Sequence, residues 1–337
     1  MKLLVTIPNR GEQNGFLTQK TREYLEEHFE VVYNESKSQL TKDDLARLAP
    51  EAEIAITGWG SPSFVGAIGT ESIKFIAHTG GSVGDLVDDG VYERGVRVSS
   101  GNSMYAESVA EGTLAYMMSI LRSIPDEVYG MRDGHWYTPG VRDSEGLFDQ
   151  EIGIIGYGAI SKNLMRMLKP FRVRLKVYSA HPIDEDFLRE VGGVQTSLSE
   201  IFSKSKIISL HSSLNERTVG MIGKEHFELM KEGSVFINTA RGAIVREDEM
   251  IEVLSRRDIR AFLDVYSAEP LSKDSPLRSM KNVYLMPHRG GPTLDRRQYI
   301  GRAIAEEAVR FKNGEPLTLE IPRDYAGRMT KHSTRKK

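Results

Sequence analysis

Short apolar runs alternate with longer amphipathic stretches along most of the chain. In the first third, β-branched and aliphatic residues predict strands at residues 3–7, 30–33, 54–57, 73–77 and 96–99. Between them, Thr41 followed by Asp43 and Asp44 indicates the start of a helix, because a hydroxyl cap and early acidic residues stabilise a helix N-terminus. Strands that alternate with helices are typical of parallel α/β layers.

A second series of strands is predicted at residues 151–155, 175–178, 207–210, 235–238, 259–262 and 283–285. Before it, Val109, Thr113 and Met117 recur at helical spacing and predict a long buried helix over residues 108–120. After it, a helix is predicted over residues 294–313, and we expect this helix to return to the first layer. The chain is therefore expected to form two α/β layers, the first of them discontinuous.

Composition excludes several classes of function. With 337 residues the chain is long enough for two domains, and 39% hydrophobic and 27% charged residues are ordinary for a globular protein. A formal net charge of -2 favours neither a nucleic acid nor an anionic membrane as partner. The absence of cysteine excludes disulfides and thiolate metal sites, and it fits a cytoplasmic location. The histidines lack the spacing of metal ligands, so no metal is expected.

A glycine turn, Gly156-Tyr157-Gly158-Ala159-Ile160-Ser161, follows the predicted strand at 151–155 and opens a predicted helix. Gly156 allows a tight turn, and Gly158 lets the backbone approach a pyrophosphate at the helix N-terminus. Ser161 stands where a third glycine is usual, and a small residue there still permits close helix–strand packing. A glycine turn by itself is often only a structural loop, but the strand–turn–helix context favours dinucleotide binding.

The next strand ends at Tyr178-Ser179-Ala180-His181. An NAD site normally has an acidic residue at this point, where it binds the ribose hydroxyls. Ser179 takes that position, so no carboxylate repels a 2′-phosphate, and His181 adds a partial positive charge. We therefore predict an NAD(P) cofactor with NADP favoured, and NAD remains open.

Three separated residues have the chemistry of acid/base and anion-binding groups. Arg241 follows a buried strand, where an unpaired cation is costly, although it could simply pair with a surface acid. His288 ends the last predicted strand and follows Pro287; an imidazole exchanges protons near neutral pH, although many loop histidines are merely solvated. Glu269, before Pro270, would be an ordinary turn acid if it stood alone.

The segments around these residues resemble the D-isomer-specific 2-hydroxyacid dehydrogenase family. The most specific segments are Asn238-Thr239-Ala240-Arg241-Gly242, Asp264-Val265-Tyr266-Ser267-Ala268-Glu269-Pro270-Leu271 and Pro287-His288-Arg289-Gly290-Gly291. Ser108-Val109-Ala110-Glu111 and Leu210-His211 with Leu214 are similar to further landmarks of the family, and the resemblance extends over about residues 78–292. Ser161, Ser179 and Ser213 depart from the pattern, which affects the expected cofactor preference more than the reaction type.

The resemblance implies a role for each candidate. Arg241 would grip the substrate carboxylate and polarise its C2 carbonyl, His288 would exchange a proton with the C2 oxygen, and Glu269 would orient the imidazole. The small residues Gly80 and Gly81 would bring backbone N–H groups to the substrate carboxylate, although an ordinary glycine turn is the alternative. The implied cofactor-binding residues are Gly156, Gly158, Ala159, Ile160, Ser179, His211, Ser212, Ser213, Thr218, Thr239, Ala240, Asp264 and Gly290.

The predicted fold is α/β, with two Rossmann-like or flavodoxin-like domains that have parallel sheets and an active site in the cleft between them. Residues 1–101 plus 293–337 would form a discontinuous substrate (catalytic) domain, and residues 102–292 the dinucleotide-binding Rossmann domain. The resemblance also implies a homodimer joined through the cofactor domains, and the helix at 108–120 is the candidate contact.

The predicted function is hydride transfer between a nicotinamide and C2 of a small 2-oxo or D-2-hydroxy acid of the glyoxylate, hydroxypyruvate or phosphoglycerate kind. Formate or phosphite is a further substrate alternative, but formate oxidation needs no general acid. An alternative from another class is a nucleotide-sensing binding protein on the same fold, without turnover. The Arg–Glu–His set argues against a sensor, because a sensor has no need of a proton donor.

Overall fold

In this computed structural model, which describes residues 1–10 and 15–331, the chain divides into two units that each contain one sheet. One unit comprises Met1–Tyr105 and Pro292–Lys337, and the other comprises Ala106–Gly291. Among the described residues, the strands of both sheets pair in parallel. No described helix is both long and apolar enough to cross a bilayer.

The first unit has a five-stranded sheet with the order β2-β1-β3-β4-β5. Its strands are β1 (Lys2–Val5), β2 (Glu30–Tyr33), β3 (Ile54–Thr57), β4 (Phe75–His78) and β5 (Arg97–Ser100). The helices that lie between these strands in the chain are α1 (Gln19–His28), α2 (Lys42–Leu48) and α3 (Asp89–Glu93). Thr41 caps α2 in a capping box with Asp44, as its sequence predicts.

The second unit has a seven-stranded sheet with the order β12-β11-β10-β9-β6-β7-β8. Its strands are β6 (Glu151–Ile155), β7 (Arg174–Tyr178), β8 (Gly193–Gln195), β9 (Ile207–Leu210), β10 (Val235–Asn238), β11 (Arg260–Leu263) and β12 (Val283–Leu285). The helices around it are α4 (Asn102–Leu121), whose first four residues belong to the first unit, α5 (Ile124–Arg132), α6 (Ala159–Leu168), α7 (Glu185–Val191), α8 (Leu198–Lys204), α9 (Lys224–Phe227) and α10 (Glu247–Leu254). Short 3-10 turns occur at Lys169–Phe171, Gly242–Ile244 and Pro276–Arg278. The last two helices among the described residues, α11 (Leu294–Asn313) and α12 (Arg323–Ala326), belong to the first unit.

Comparison with the predicted elements confirms most strands and corrects two elements. The strands at 30–33, 54–57, 151–155, 207–210, 235–238 and 283–285 and the helix at 294–313 have the predicted bounds, and the others shift by a residue or two. The helix predicted over 108–120 begins earlier, at Asn102. Strand β8 was not predicted, because three residues, two of them exposed, are too short to show an alternating pattern.

The sheet topology of the second unit brings the candidate site residues to one edge of the sheet. Because parallel strands all end at the same edge of a sheet, the residues that follow them lie near each other. Gly156 follows β6, His211 follows β9, Thr239 follows β10, Asp264 follows β11, and His288 comes shortly after β12. Apolar clusters on both faces of the sheet hold the strands that carry these residues.

Candidate active site

His288 and Glu269 form a hydrogen-bonded pair in the second unit. His288 Nδ1 lies 2.8 Å from Glu269 Oε2. Because a carboxylate can only accept, Nδ1 carries the shared proton and Nε2 is left to exchange a proton with another molecule. The imidazole is 44% exposed whereas Glu269 is 19% exposed, so the pair has a sheltered carboxylate and an accessible ring.

The loop after β11 holds Glu269 in place. The second carboxylate oxygen, Oε1, accepts the backbone N–H of Tyr266 at 3.1 Å. The Tyr266 hydroxyl donates to the Leu263 and Met286 carbonyls, at 3.1 and 2.8 Å, and so ties the loop to the end of β12. Both oxygens of Glu269 therefore have partners, and the one facing His288 has little freedom to turn away.

A cavity opens beside the His288–Glu269 pair. Its wall is largely apolar and is lined by Tyr266, Glu269, Pro270, Leu271, Arg278, Leu285, Met286, Pro287 and His288.

Arg241 lies on a turn after β10 that its neighbour Asn238 shapes. Asn238 accepts the N–H of Ala240 at 3.0 Å and donates to the carbonyl of Arg241 at 3.2 Å, so one side chain closes the turn. Arg241 Nη1 donates to the carbonyl of Ala240 at 2.6 Å. A Cβ at Gly242 would overlap the backbone of Tyr266, so the Arg241 turn packs directly on the loop that carries Glu269.

The glycine turn is tight at Gly156 and leaves open space at Gly158. Gly156 has φ of 106°, and a Cβ there would lie 2.6 Å from the amide nitrogen of Ser212. This position therefore accepts glycine alone without distortion. A Cβ at Gly158 would meet nothing within 4 Å, so open space remains beside the start of α6, where Ala159 and Ile160 form the first helical positions. The turn thus fits a pyrophosphate held at a helix N-terminus.

Ser161 does more than occupy the place of a glycine. It is fully buried, and its hydroxyl accepts the N–H of Gly158 at 2.9 Å and donates to the carbonyl of the same residue at 3.1 Å. The serine therefore keeps the close packing and also fastens the turn to the first turn of α6.

His211 lies against the glycine turn and presents an unsatisfied polar atom. Its Nε2 is 2.9 Å from the Ser209 hydroxyl, while its buried Nδ1 has no hydrogen-bond partner among the described residues. Burial lowers the pKa of His211 to about 4, so the ring is neutral. A buried ring nitrogen without a partner fits a site that receives a polar ligand group.

Ser212, Ser213 and Thr218, the other candidate cofactor residues after β9, lie in a loop that hydrogen bonds hold in shape. Ser212 donates from its hydroxyl to the carbonyl of Ile155 at 3.4 Å, and this contact joins the loop to β6. The Thr218 hydroxyl donates to the carbonyl of Ser213 at 2.7 Å. Ser213, Ser212 and Thr218 therefore belong to one stretch beside the glycine turn.

The end of β7 has a partner that sequence reasoning missed. Ser179 accepts the backbone N–H of His181 through its hydroxyl at 3.1 Å. Gln195, on the unpredicted strand β8, donates to the carbonyls of Ser179 and His181 at 3.3 and 3.0 Å. The turn from Ser179 to His181 is thus held by hydroxyl and amide groups, with no acidic side chain at Ser179.

Asp264 and Gly290 meet after β11 and β12. Asp264 is 2% exposed and accepts the backbone N–H of Gly290 at 2.7 Å. On the neighbouring turn, Thr239 and Ala240 are buried, and the Thr239 hydroxyl is 3.0 Å from the hydroxyl of Thr113 on α4. These contacts bring four of the predicted cofactor residues to the same edge of the sheet.

Gly80 and Gly81 lie in the first unit, directly after β4. A Cβ at Gly80 would overlap the imidazole of His78, whose Nδ1 is 2.9 Å from the Thr57 hydroxyl. The Ser100 hydroxyl donates to the carbonyl of Gly81 at 3.1 Å. The loop is therefore shaped by buried polar contacts; its binding of a substrate carboxylate stays a prediction.

Asn238 and Tyr116 were not singled out from the sequence as site residues, although Tyr116 Cε2 would lie 3.8 Å from a Cβ at Gly290. Asn238 stands in a quoted motif, and an asparagine directly after a buried strand is a signal for a side chain that closes a turn. The sequence offers no indication of a site role for Tyr116, because one aromatic residue in a buried helix is typical of a core.

Within residues 1–10 and 15–331, no group of three or more histidine or acidic side chains is arranged to hold a metal ion.

Comparison with known proteins places these features in a family. The sequence model of the family described as "D-isomer specific 2-hydroxyacid dehydrogenase, NAD binding domain" matches residues 114–290 of this chain. The chain is 30% identical over 319 residues to the D-3-phosphoglycerate dehydrogenase of Methanocaldococcus jannaschii, which covers 94% of this chain and 58% of that protein. The chain thus spans somewhat more than half the length of that relative.

Two further proteins are similar. The glyoxylate reductase/hydroxypyruvate reductase of Homo sapiens is 30% identical over 253 residues, which are 74% of this chain and 77% of that protein. A crystal structure of a glyoxylate reductase from Paecilomyes thermophila matches with a TM-score of 0.80 at 20% identity, over 96% of this chain and 99% of that one. At that identity the structural likeness concerns the fold alone.

Proposed function

This chain belongs to the D-isomer-specific 2-hydroxyacid dehydrogenase family, and from that premise we propose that it transfers hydride between a nicotinamide cofactor and C2 of a small 2-oxo or D-2-hydroxy acid. The observation that carries the proposal is the 2.8 Å hydrogen bond between His288 and Glu269. A carboxylate that engages Nδ1 leaves Nε2 available for proton exchange, which reduction of a carbonyl requires.

Arg241 binds the substrate carboxylate in this proposal. A guanidinium is planar and can form two parallel hydrogen bonds to a carboxylate, so it fixes orientation as well as charge. Its turn is closed by Asn238 and packs on the loop of Glu269. A substrate held by Arg241 would therefore have its C2 oxygen presented to His288.

His288 gives a proton to the C2 oxygen when the oxo acid is reduced and takes one back when the hydroxy acid is oxidised. Glu269 accepts a hydrogen bond from Nδ1 and so keeps the ring in one orientation, with Nε2 free to exchange the proton. A nicotinamide, when bound, supplies the hydride in one direction and accepts it in the other. In this proposal the cofactor would be held by the glycine turn, by the loop after β9 that begins with His211, and by the Thr239–Ala240 turn.

We propose that the enzyme prefers NADP and also accepts NAD. The support is Ser179, which stands without a carboxylate at the end of β7. Ser179→Asp is expected to lower kcat/KM with NADPH by roughly ten-fold or more, because the new charge would repel a 2′-phosphate. Steady-state rates with NADPH and NADH test this, and a strong NADH preference of the unmodified protein would reject the proposal.

Glyoxylate, hydroxypyruvate and a phosphoglycerate-type acid are the proposed substrate class, because the similar proteins carry those names. The backbone of Gly80 and Gly81 is proposed to help bind the carboxylate. The decisive experiment measures oxidation of NADPH and NADH with a panel of glyoxylate, pyruvate, hydroxypyruvate and branched 2-oxo acids. Cofactor binding with no turnover on any acid would favour the sensor alternative, which the names of the relatives do not favour.

A homodimer joined through the second unit is also proposed. The residues at 108–120 are the candidate contact, and the adjoining helix α5 exposes apolar side chains, with Val128 43% and Tyr129 65% exposed. Apolar surface of this kind is typical of a subunit contact. Sedimentation should give twice the mass of one chain, and Tyr129→Glu should shift the mass toward the monomer.

A cytoplasmic location is proposed on the cysteine-free composition alone.

A further inference from the structure

The turn that carries His288 has a backbone conformation that needs support. His288 has φ of 55°, in the left-handed region that residues with a side chain rarely adopt. Such a conformation persists only where the surrounding structure enforces it. The direction of the imidazole follows from this backbone, since a turn that relaxed would carry the ring away from Glu269.

Asp264 contacts the turn from the end of β11. One carboxylate oxygen accepts the backbone N–H of Arg289 at 2.6 Å, and the other accepts that of Gly290 at 2.7 Å. Two consecutive amides that converge on one anion form a compact clamp, and hydrogen bonds to an ionised acceptor are stronger than neutral ones. The amides that follow His288 are thereby held by a single side chain.

Helix α4 closes the other side of the clamp. A Cβ at Gly112 would lie 3.2 Å from the carbonyl oxygen of Gly290, so the turn packs against the helix backbone. One helical turn further on, the ring of Tyr116 stacks on Phe262 with centroids 4.3 Å apart. Burial, and to a smaller extent the neighbouring Asp264, raises the pKa of Tyr116 to about 12, so a neutral phenol faces the carboxylate.

We infer that Asp264 is a positioning residue for His288: its carboxylate holds the Arg289–Gly290 amides and so fixes the turn that directs the imidazole toward Glu269. The chemical role of His288 in this inference rests on the proposed function. The clamp is separate from the cofactor contact predicted for Asp264, because it acts through the backbone of the turn.

Two substitutions break the clamp from opposite sides. Asp264→Asn keeps the shape of the side chain but places an NH₂ donor against a backbone N–H donor, so one of the two hydrogen bonds is lost. Gly290→Ala leaves Asp264 intact but places a methyl 2.8 Å from Asp264 Oδ2. The matched control is Gly291→Ala, because a Cβ there meets nothing within 4 Å. If one of the two variants fails to fold, the other still tests the inference.

Three measurements are made on each folded variant: kcat, the Kd for NADPH by fluorescence, and the ¹⁵N-histidine NMR signal of the Nδ1–H bonded to Glu269. We expect kcat to fall by roughly 10²-fold, because a small misplacement of a reacting group can cost that much. The NADPH Kd reports separately on the cofactor contact predicted for Asp264 and Gly290, and the Nδ1–H signal should broaden or disappear. Gly291→Ala should retain kcat, Kd and signal.

Two results would overturn the inference. One is a folded Asp264→Asn or Gly290→Ala variant that keeps the wild-type Nδ1–H signal. The other is a variant whose NADPH affinity falls while kcat at saturation is unchanged, which would mean that Asp264 acts through the cofactor. A wild-type protein that turns over no 2-oxo acid would instead reject the proposed function, and the NMR signal would still decide whether Asp264 holds the turn.

Discussion

At the scale of single residues, the chemistry depends on how each charged group is held. Glu269 uses one oxygen for the backbone of Tyr266 and the other for His288. Asn238 closes the turn of Arg241 in a similar way. Since a misplaced group loses catalytic efficiency steeply, these supporting contacts are needed for the roles proposed for Glu269, His288 and Arg241.

His288→Ala should mainly reduce kcat. Without an acid/base group the rate is expected to fall by roughly 10²–10⁴-fold, because that is the usual contribution of a positioned proton donor. The pH dependence of kcat should also flatten, since the group proposed to exchange the proton is gone. The exposed His135→Ala is the control and should behave like the wild type; an active His288→Ala protein with the original pH profile would remove the assigned role.

Arg241→Ala should raise KM and lower kcat together. The guanidinium would act on the substrate carboxylate in the bound state and on the carbonyl in the transition state, so kcat/KM is expected to fall by roughly 10²–10³-fold. Arg256→Ala, which removes a surface ion pair with Glu228, is the matched control. Unchanged kinetics for Arg241→Ala would show that the arginine has a structural role.

At the scale of elements, hydrophobic patterning predicts long or fully buried strands and fails for short exposed ones. Strands β9 and β10 are buried throughout and were predicted with their bounds, whereas β8 was missed. The start of α4 at Asn102 was also missed, because its first turn lacks the apolar spacing of the rest. Local pattern thus identifies elements that bury much surface, and the remainder depends on packing partners distant in sequence.

Gly153 illustrates a packing constraint that strand propensity does not show. It lies in the middle of β6, where a Cβ would overlap Ile201 of α8 and lie 2.8 Å from Ser205 Oγ. Gly153→Ala should therefore destabilise the second unit by about 1–3 kcal/mol, the usual cost of overpacking. Gly146→Ala, with open space around the added methyl, is the control. Equal urea midpoints for the two variants would contradict the prediction.

At the scale of the whole molecule, each unit contains a buried neutral histidine at the end of a strand. Burial lowers the pKa of His78, in the first unit, and of His211, in the second, to about 4. The unfolded chain has the ordinary histidine pKa of roughly 6.5, so it binds protons more readily than the folded chain. The stability due to each neutral ring is complete above that pH and is lost as the pH falls toward 4.

The free energy of unfolding should therefore decrease between about pH 6.5 and pH 4, by an amount on the order of 3 kcal/mol for each histidine. His211→Gln cannot take up a proton, so its unfolding free energy should depend less on pH in this range. Urea unfolding at several pH values, with the exposed His135→Ala as control, measures this slope. The same slope in His211→Gln and in the wild type would contradict the prediction.

Sequence alone determined the α/β class, most strand positions and the glycine turn, because these depend on periodicity and local turn chemistry, and motifs contiguous in the chain made Arg241, Glu269 and His288 the candidates for the proposed chemistry. Only the tertiary structure decided the 2.8 Å geometry of the expected Glu269–His288 pair, the contacts of Asp264 with the turn after His288, and the places of Gln195 and Tyr116 beside these residues. Those contacts join residues from different strands and helices, and their geometry follows from sheet order and close packing, which no local pattern encodes.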